Sequence, residues 1–436
     1  MIRRILAIAA AIALLGSGAR AATCVVTGGV TALVDARGVE LLGGDSIESL
    51  FAVVPDALYA AGAKGAYRLY DASGAPVGDR VFSMIRAEGE WLVFSSDGRY
   101  GAMNASGGIV VPAEWTQLVW NGADGFLALA DSPMDDRPDA VIHIVPGEEP
   151  AATGGSVAGG LRDVREDRMP FMTPDGRWGY LDGRGTQVIV PEWRHAGAFS
   201  GGTAAVTGDV GRGMIDLDGG IVLAPEYVWL ERGETLVAAL TEEGKLEVYD
   251  ASGRIPRFSM ALDAPEIAIV GDAVAVYEAA GSRLIASDGR LIAEAGPGAR
   301  FEAGIDDRYV RVDGAWGEAC QTLLDGDGNA LCAPRQRVLP LCPDRYAWLE
   351  MPGTTYYSPE LDSLQVSWDY GSVRYGLMDG QGRELLPAEY REIRALDGER
   401  LLLIDDASVI LADLDGRALR VWITAEDAEP TDGPDA

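Results

Sequence analysis

The chain has 436 residues, with 67 acidic and 36 basic side chains and a net charge of −31. Hydrophobic residues make up 48%, which excludes global disorder and permits a large core. A surface this acidic repels nucleic acid and anionic lipid, so neither is an expected partner.

The N-terminus reads as an export signal. Arg3 and Arg4 form a positive start, Ile5 to Leu15 an apolar stretch, and Ala19-Arg20-Ala21 a small-residue cleavage site. Residues 1–21 are therefore read as a Sec-type signal peptide, cleaved after Ala21, and the mature chain as periplasmic or secreted. Cys24 lies close to that site, but Thr23 and Ala21 suit a lipobox poorly, so a lipoprotein is the lesser reading. No later stretch is long and apolar enough to span a bilayer, so no integral membrane segment is expected in the mature chain.

Self-comparison then finds a repeat. Four segments align without gaps: RYGAMNASGGIVVPAEW from Arg99, RWGYLDGRGTQVIVPEW from Arg177, GRGMIDLDGGIVLAPEY from Gly211 and RYGLMDGQGRELLPAEY from Arg374. In each, a glycine (Gly107, Gly185, Gly219, Gly382) follows the position of Tyr100, Trp178, Arg212 and Tyr375 at one fixed spacing, and an aromatic (Trp115, Trp193, Tyr227, Tyr390) follows the glycine at another. Weaker copies centre on Gly38, Gly74, Gly147, Gly253, Gly289, Gly328 and Gly416, giving about eleven units over 22–424. Each unit predicts a short alternating strand, a tight Asp-Gly-type reversal and a second strand of continuous apolar residues. That apolar run predicts burial on both faces. Pro112, Pro191, Pro225 and Pro387 are expected to end the ladder, since proline lacks the donor. A third strand follows, as in Phe126–Leu129, Val237–Leu240, Ala273–Tyr277 and Leu401–Ile404. Gly101, Gly179, Gly213 and Gly376 fit places where a neighbouring unit's backbone comes close.

The Trp/Tyr-Gly opening, Asp-x-x-Gly turn, Pro-x-Glu-Tyr/Trp step and later apolar strand resemble the WG-repeat family of bacterial proteins. The resemblance implies an all-β repeat fold of propeller-like form. It implies no activity, because the family lacks a shared catalytic motif. Arg212 departs from the pattern by replacing the aromatic. The fold class expected is all-β, tandem short β-sheet repeats, β-propeller-like; an open β-solenoid or two smaller propellers are the alternatives.

Two stretches break the spacing. Residues 131–170 are rich in Asp, Gly, Pro and Glu and read as a linker. Residues 341–373 carry an insertion holding Tyr346, Trp348, Tyr356, Tyr357, Trp368 and Tyr370 with Asp362 and Asp369. Insertions in repeat arrays map to loops on a binding face, and aromatics make good contact residues. Tyr356, Tyr357, Trp368 and Tyr370 are therefore the binding candidates, against the plainer reading that they pack the insertion onto the array. The tail 425–436 is Asp/Glu/Pro-rich and reads as disordered.

Four cysteines in an exported chain favour disulfides. Of three pairings, Cys320–Cys332 is expected across a hairpin centred on Gly326, with Cys24–Cys342 tying the N-terminus to a late repeat. Asp325, Asp327 and Asn329 alternate like calcium ligands, echoed by Asp216-x-Asp218 and Asp413-x-Asp415. An EF-hand fails, because Ala330 and Gln336 occupy its glycine and bidentate-glutamate positions, and Asp-Gly turns explain these residues. No other metal or cofactor is implied. His143 and His195 are the two histidines, one inside an apolar strand and one beside a repeat aromatic, and no nucleophile elbow or phosphate loop is legible. Glu114, Glu192, Glu226 and Glu389 recur at one repeat position, which argues for structure. The functional expectation is an exported, non-enzymatic binding or scaffold protein that presents loops to a protein or cell-envelope partner. The alternative is a secreted propeller-type polysaccharide hydrolase or lyase using carboxylates.

Overall fold

The computed structural model describes residues 22–423 except 28–29, 36–37, 45–46, 131–138, 264, 315–319, 359–362 and 397. The signal segment 1–21 and the acidic tail 425–436 lie outside the described residues. Everything described is β-structure, apart from turns and one 3-10 turn at Tyr370–Ser372. Eleven sheets of three or four antiparallel strands follow one another along the chain, with one extra two-stranded sheet. The fold class is all-β with propeller-type blades.

Blade one holds Thr23–Thr27, Val30–Val34 and Glu40–Gly43; blade five holds Met169–Met172, Trp178–Leu181 and Gln187–Trp193; blade six holds His195–Ala196, Thr203–Thr207, Arg212–Asp216 and Ile221–Tyr227. Blade eleven holds Glu392–Ala395, Arg400–Ile404, Ser408–Asp413 and Ala418–Ile423. The chain packs as two compact units. Blades two to seven make the first. Blades eight to eleven and blade one make the second. In the second unit the first and last blades share a core: Val25, Ala32 and Val34 pack with Leu402, Val409 and Leu411. Arg420 donates to the Gly38 carbonyl at 2.7 Å and bridges Glu40 at 3.3 Å. An open β-solenoid, whose end repeats share no face, does not describe this arrangement.

All eleven anchor glycines sit in the left-handed region, from φ 72° at Gly253 to φ 89° at Gly147, where a side chain would be strained. The residue three before most of them is Asp or Asn, and its side chain organises the reversal. Asp182 Oδ1 accepts from the N–H of Arg184 at 2.9 Å and of Thr186 at 2.8 Å. Asn104, Asp216, Asp379 and Asp413 repeat this pattern. These are Asx turns, in which a carboxylate or amide satisfies backbone donors that the reversal would strand.

The sheets are out of phase with the sequence unit. The run expected as a third strand is the second strand of the next blade. Phe126–Leu129, for example, pairs with Gln117–Trp120 and Asp139–Ile144, not with Ile109–Trp115. These second strands carry the double-sided burial: Phe126–Leu129 is buried throughout. The run after the anchor glycine is instead an outer strand, with Val188 42% and Val190 65% exposed beside buried Ile189. Its proline does not end the ladder. Trp178 pairs with Trp193 and Tyr180 with Ile189, so two extra residues bulge out and Pro191 sits where no donor is needed. The glycine after the aromatic faces that bulge within its own blade. A Cβ at Gly179 would meet the Ile189 carbonyl at 2.6 Å and Pro191 N at 2.9 Å.

Consecutive blades are also pinned by polar links. Arg168 donates to the Leu217 carbonyl at 3.0 Å, Arg345 to Leu414 at 2.7 Å, Asn121 to Gly183 at 3.0 Å, and Arg308 to Gly380. Each acceptor is the residue directly after a turn aspartate. Residues 139–157, read as part of a linker, form the third and fourth strands of blade four; Asp139–Ile144 and Ala151–Val157 pair across the turn at Gly147. There Pro146, Gly147 and Pro150 belong to the turn, while Asp139, Gly154 and Gly155 lie in the strands themselves.

Candidate binding site in blade ten

Blade ten is built from Arg337–Cys342, Arg345–Glu350, Arg374–Asp379 and Glu384–Tyr390. Between its second and third strands the chain leaves the sheet and forms a hairpin, Gly353–Ser358 with Ser363–Trp368. The expected insertion 341–373 is thus narrower, since its first ten residues are blade strands. The hairpin base is closed by the Asp369 N–H on the Pro352 carbonyl at 2.9 Å. Asp369 then caps the 3-10 turn, accepting from Gly371 N at 3.0 Å and Ser372 Oγ at 2.6 Å. The Ser372 hydroxyl, followed by turn N–H groups, holds its carboxyl below the ordinary range.

The aromatics separate into two classes. Tyr346 is fully buried and Trp348 is 3% exposed. The Tyr346 hydroxyl accepts from Ile305 N at 2.7 Å and donates to Ile305 O at 2.9 Å, stapling blade ten to blade nine. Burial pushes that phenol up. Trp348 lies across from Gly376, where a Cβ would come within 2.6 Å of the indole nitrogen. These two belong to the blade core rather than to the insertion. Tyr370 is 63% exposed in the 3-10 turn. Tyr356, Tyr357 and Trp368 lie on the hairpin strands, and their side chains fall outside the described residues.

At the hairpin's root is a shallow cleft of about 370 Å³, lined by Pro334, Arg335, Gln336, Leu349, Glu350, Met351 and Pro352. The Arg335 guanidinium stacks 4.0 Å over Trp348 and pairs with Glu384 at 3.1 Å. The Gln336 amide clasps Met351 from both sides, donating to its carbonyl at 2.9 Å and accepting its N–H. The Gln336 clasp fixes the Met351 stem from which the hairpin emerges. From sequence, Gln336 stands out only as the residue that breaks an EF-hand pattern, and Arg335 not at all. The signal that could have found them is the polar Arg-Gln-Arg run directly before a core strand.

The other candidates stand elsewhere. The turn in blade nine is centred on Asp325–Gly328, not on Gly326: Gly328 N donates to Asp325 O at 3.0 Å. Gln321 therefore faces Arg335 and Leu324 faces Ala330, so Cys320 and Cys332 are not opposite each other. Cys342 packs in the layer between blades ten and eleven, while Cys24 belongs to blade one, with blade eleven between them. A disulfide needs Cα atoms within about 7 Å. Cys24 and Cys332 stand as thiols, so neither expected bond is formed. Burial pushes the Cys24 thiol up to about 12. Asp325 Oδ1 accepts from Asp327 N at 2.9 Å and Asn329 N at 2.8 Å, which makes the calcium-like triplet an Asx turn like the others. Among the described residues no group of three His, Cys, Asp or Glu is placed to hold a metal. His143 lies 3.7 Å from Asp124 within blade four, and His195 is exposed beside Trp178, ring centroids 5.4 Å apart.

The described chain is a β-repeat protein of propeller type, with one blade elaborated. The family model for the WG containing repeat matches residues 178–207, so the chain carries a WG repeat. That match runs from the second strand of blade five to the second strand of blade six. A search of curated proteins returns no match. Among solved structures, a eukaryotic initiation factor is similar over 93% of this chain and 96% of its own, at 10% identity and TM-score 0.42. BamB from Moraxella catarrhalis is similar over 66% and 96%, at 13% identity and TM-score 0.29. AztD from Citrobacter koseri is similar over 60% and 89%, at 12% identity and TM-score 0.28. Among the described residues no helix is long and apolar enough to cross a membrane.

Proposed function

We propose that this is an exported, non-enzymatic binding or scaffold protein that presents the blade-ten hairpin to a protein or cell-envelope partner. One observation carries the reading: the hairpin is the only two-stranded sheet among the described residues, and it is joined to an otherwise regular blade. What recurs in the blades is consumed in folding, as turn acceptors, bulge partners and carbonyl links. The hairpin lies outside that recurring pattern. The charge pattern supports binding rather than hydrolysis. The carboxylates the fold perturbs, such as Asp124, Asp209, Glu247 and Glu266, are all held below their ordinary range by hydrogen-bond donors and arginines. A general acid needs the opposite shift.

Export to the periplasm or exterior rests on residues 1–21. N-terminal sequencing of secreted material should give Ala22; an intact Met1 in the cytosolic fraction would refute it. For binding, residues 353–368 are replaced by a Gly-Ser linker and both proteins are used to capture partners from envelope extract. Partner capture should disappear while the melting temperature stays unchanged. Undiminished capture by the linker protein would sink the proposal.

A further inference from the structure

An exposed sheet edge pairs with other chains unless something prevents it, and proteins protect edges with bulges, prolines, charges or shortened strands. The blades do so systematically. In nine blades the last strand pairs through a shifted register. Five of these also carry a proline: Pro112, Pro191, Pro225, Pro256 and Pro387. In blades two and nine the fourth strand is cut down to isolated bridges, such as Tyr67↔Phe82 and Leu324↔Ala330.

The blade-ten hairpin has none of these devices. Its six pairs run unbroken from Gly353↔Trp368 to Ser358↔Ser363, with no register shift. Neither strand contains a proline or a charged residue, in a chain that is 24% charged. Thr, Tyr, Val and Trp give the strands high β-propensity. The sheet stops at two strands, so both outer edges are without a strand partner among the described residues. The register also sorts its residues: Thr355, Tyr357, Leu364, Val366 and Trp368 fall on one face, and hydroxyl and amide residues dominate the other. Two strands alone are marginally stable in water, and a third adds most of what is missing.

We infer that the hairpin is a strand-addition site: an extended segment of a basic partner protein pairs along one of its edges. The inference rests on the binding role proposed above. Main-chain hydrogen bonds supply affinity, and the apolar face selects alternate side chains of the added strand. The basic character follows from charge. A net −31 chain attracts a cationic partner and repels a second copy of itself.

The test is a photo-crosslinking scan of the full exported chain. Benzoylphenylalanine is placed singly at Thr354, Thr355, Tyr356 and Tyr357, then at Leu364 to Ser367, and crosslinked peptides from envelope extract are identified by mass spectrometry. Strand addition predicts that successive positions along one edge crosslink in order along a single stretch of one partner. That stretch should contain more Lys and Arg than Asp and Glu. Thr354→Lys with Gln365→Lys, which places charges along the edges, should cut the yield roughly tenfold without lowering the melting temperature. Ordered crosslinks to a second copy, crosslinks scattered over a partner's surface, crosslinks to lipid alone, or none at all would each overturn the inference. Scattered crosslinks combined with loss of capture by the linker protein would leave the binding role standing and remove strand addition alone. Undiminished capture by the linker protein would remove both.

Discussion

Blade five and blade ten carry the same signature and differ in what they do with it. Both pair the two ends of the motif across the sheet: Trp178 with Trp193, and Tyr375 with Tyr390. Both hold a bulged outer strand against a glycine, and both reach the next blade through an arginine. Blade five stops there. Blade ten adds a hairpin that the shared signature neither needs nor restrains. The difference separates the residues that make a blade from those that make this protein particular.

Five experiments sharpen that separation, from the largest expected effect downward. Gly179→Ala and Gly376→Ala should each destabilise by about 1–3 kcal/mol, because the added methyl meets rigid backbone. Blade ten should lose more, since Gly376 also faces the Trp348 indole. Calorimetric melting of both variants tests this, and equal losses would remove Trp348 from the account. Arg168→Met and Arg345→Met should cost roughly 1–2 kcal/mol each, leaving the Leu217 and Leu414 carbonyls without their donors. Similar values in the two blades would show that the link is generic.

Asp182→Ala and Asp379→Ala should cost about 1 kcal/mol, more at the buried Asp379, which also holds Arg383 at 3.0 Å. The same turn in blade nine adds a pH test. The Asn329 side chain, followed by turn N–H groups, holds the Asp325 carboxyl below its ordinary 3.8. A carboxyl lowered on folding contributes stability above its unfolded value, and that contribution is lost as pH falls through the folded value. Melting temperature should therefore drop on acidification below about pH 4, and Asp325→Asn should flatten part of that drop. Smallest of all, the Gly-Ser replacement of 353–368 should change stability by less than about 0.5 kcal/mol. A large loss would mean that the hairpin supports the blade after all.

Much of the blade was legible because glycine is hard to replace. The eleven anchors sit at a backbone geometry that side chains avoid, so even Gly147, with little else of the motif around it, marks a true turn. The pairing of strands was less legible. Chain order cannot say whether a strand joins the hairpin before it or the sheet after it, so Phe126–Leu129 was grouped with the wrong sheet. Apolar runs misled for a related reason. Ile189 is buried while Val188 and Val190 are exposed on either side, and β-branched residues suit an edge strand as well as a core. The inter-blade arginines left a trace that went unread: Asp167-Arg168, Asp307-Arg308 and Asp344-Arg345 each precede an apolar strand. At the candidate site, the aromatic-rich insertion was visible as extra length. That Tyr346 and Trp348 belong to the core and not to the insertion was not, because one aromatic spacing serves both.

The contact between Arg420 and Gly38 joins residues 382 apart in the chain. Such a contact cannot form while the chain is still emerging, whether from a ribosome or through a membrane pore. Until the last blade arrives, blade one has no neighbour on the face formed by Val25, Ala32 and Val34, and that surface is open to misassembly. Long-range closure of this kind is paid in time, through the entropy of bringing distant segments together. Folding of the intact chain should therefore show a slow late phase that a chain ending at Ala395 lacks, and the shortened chain should be the one that aggregates.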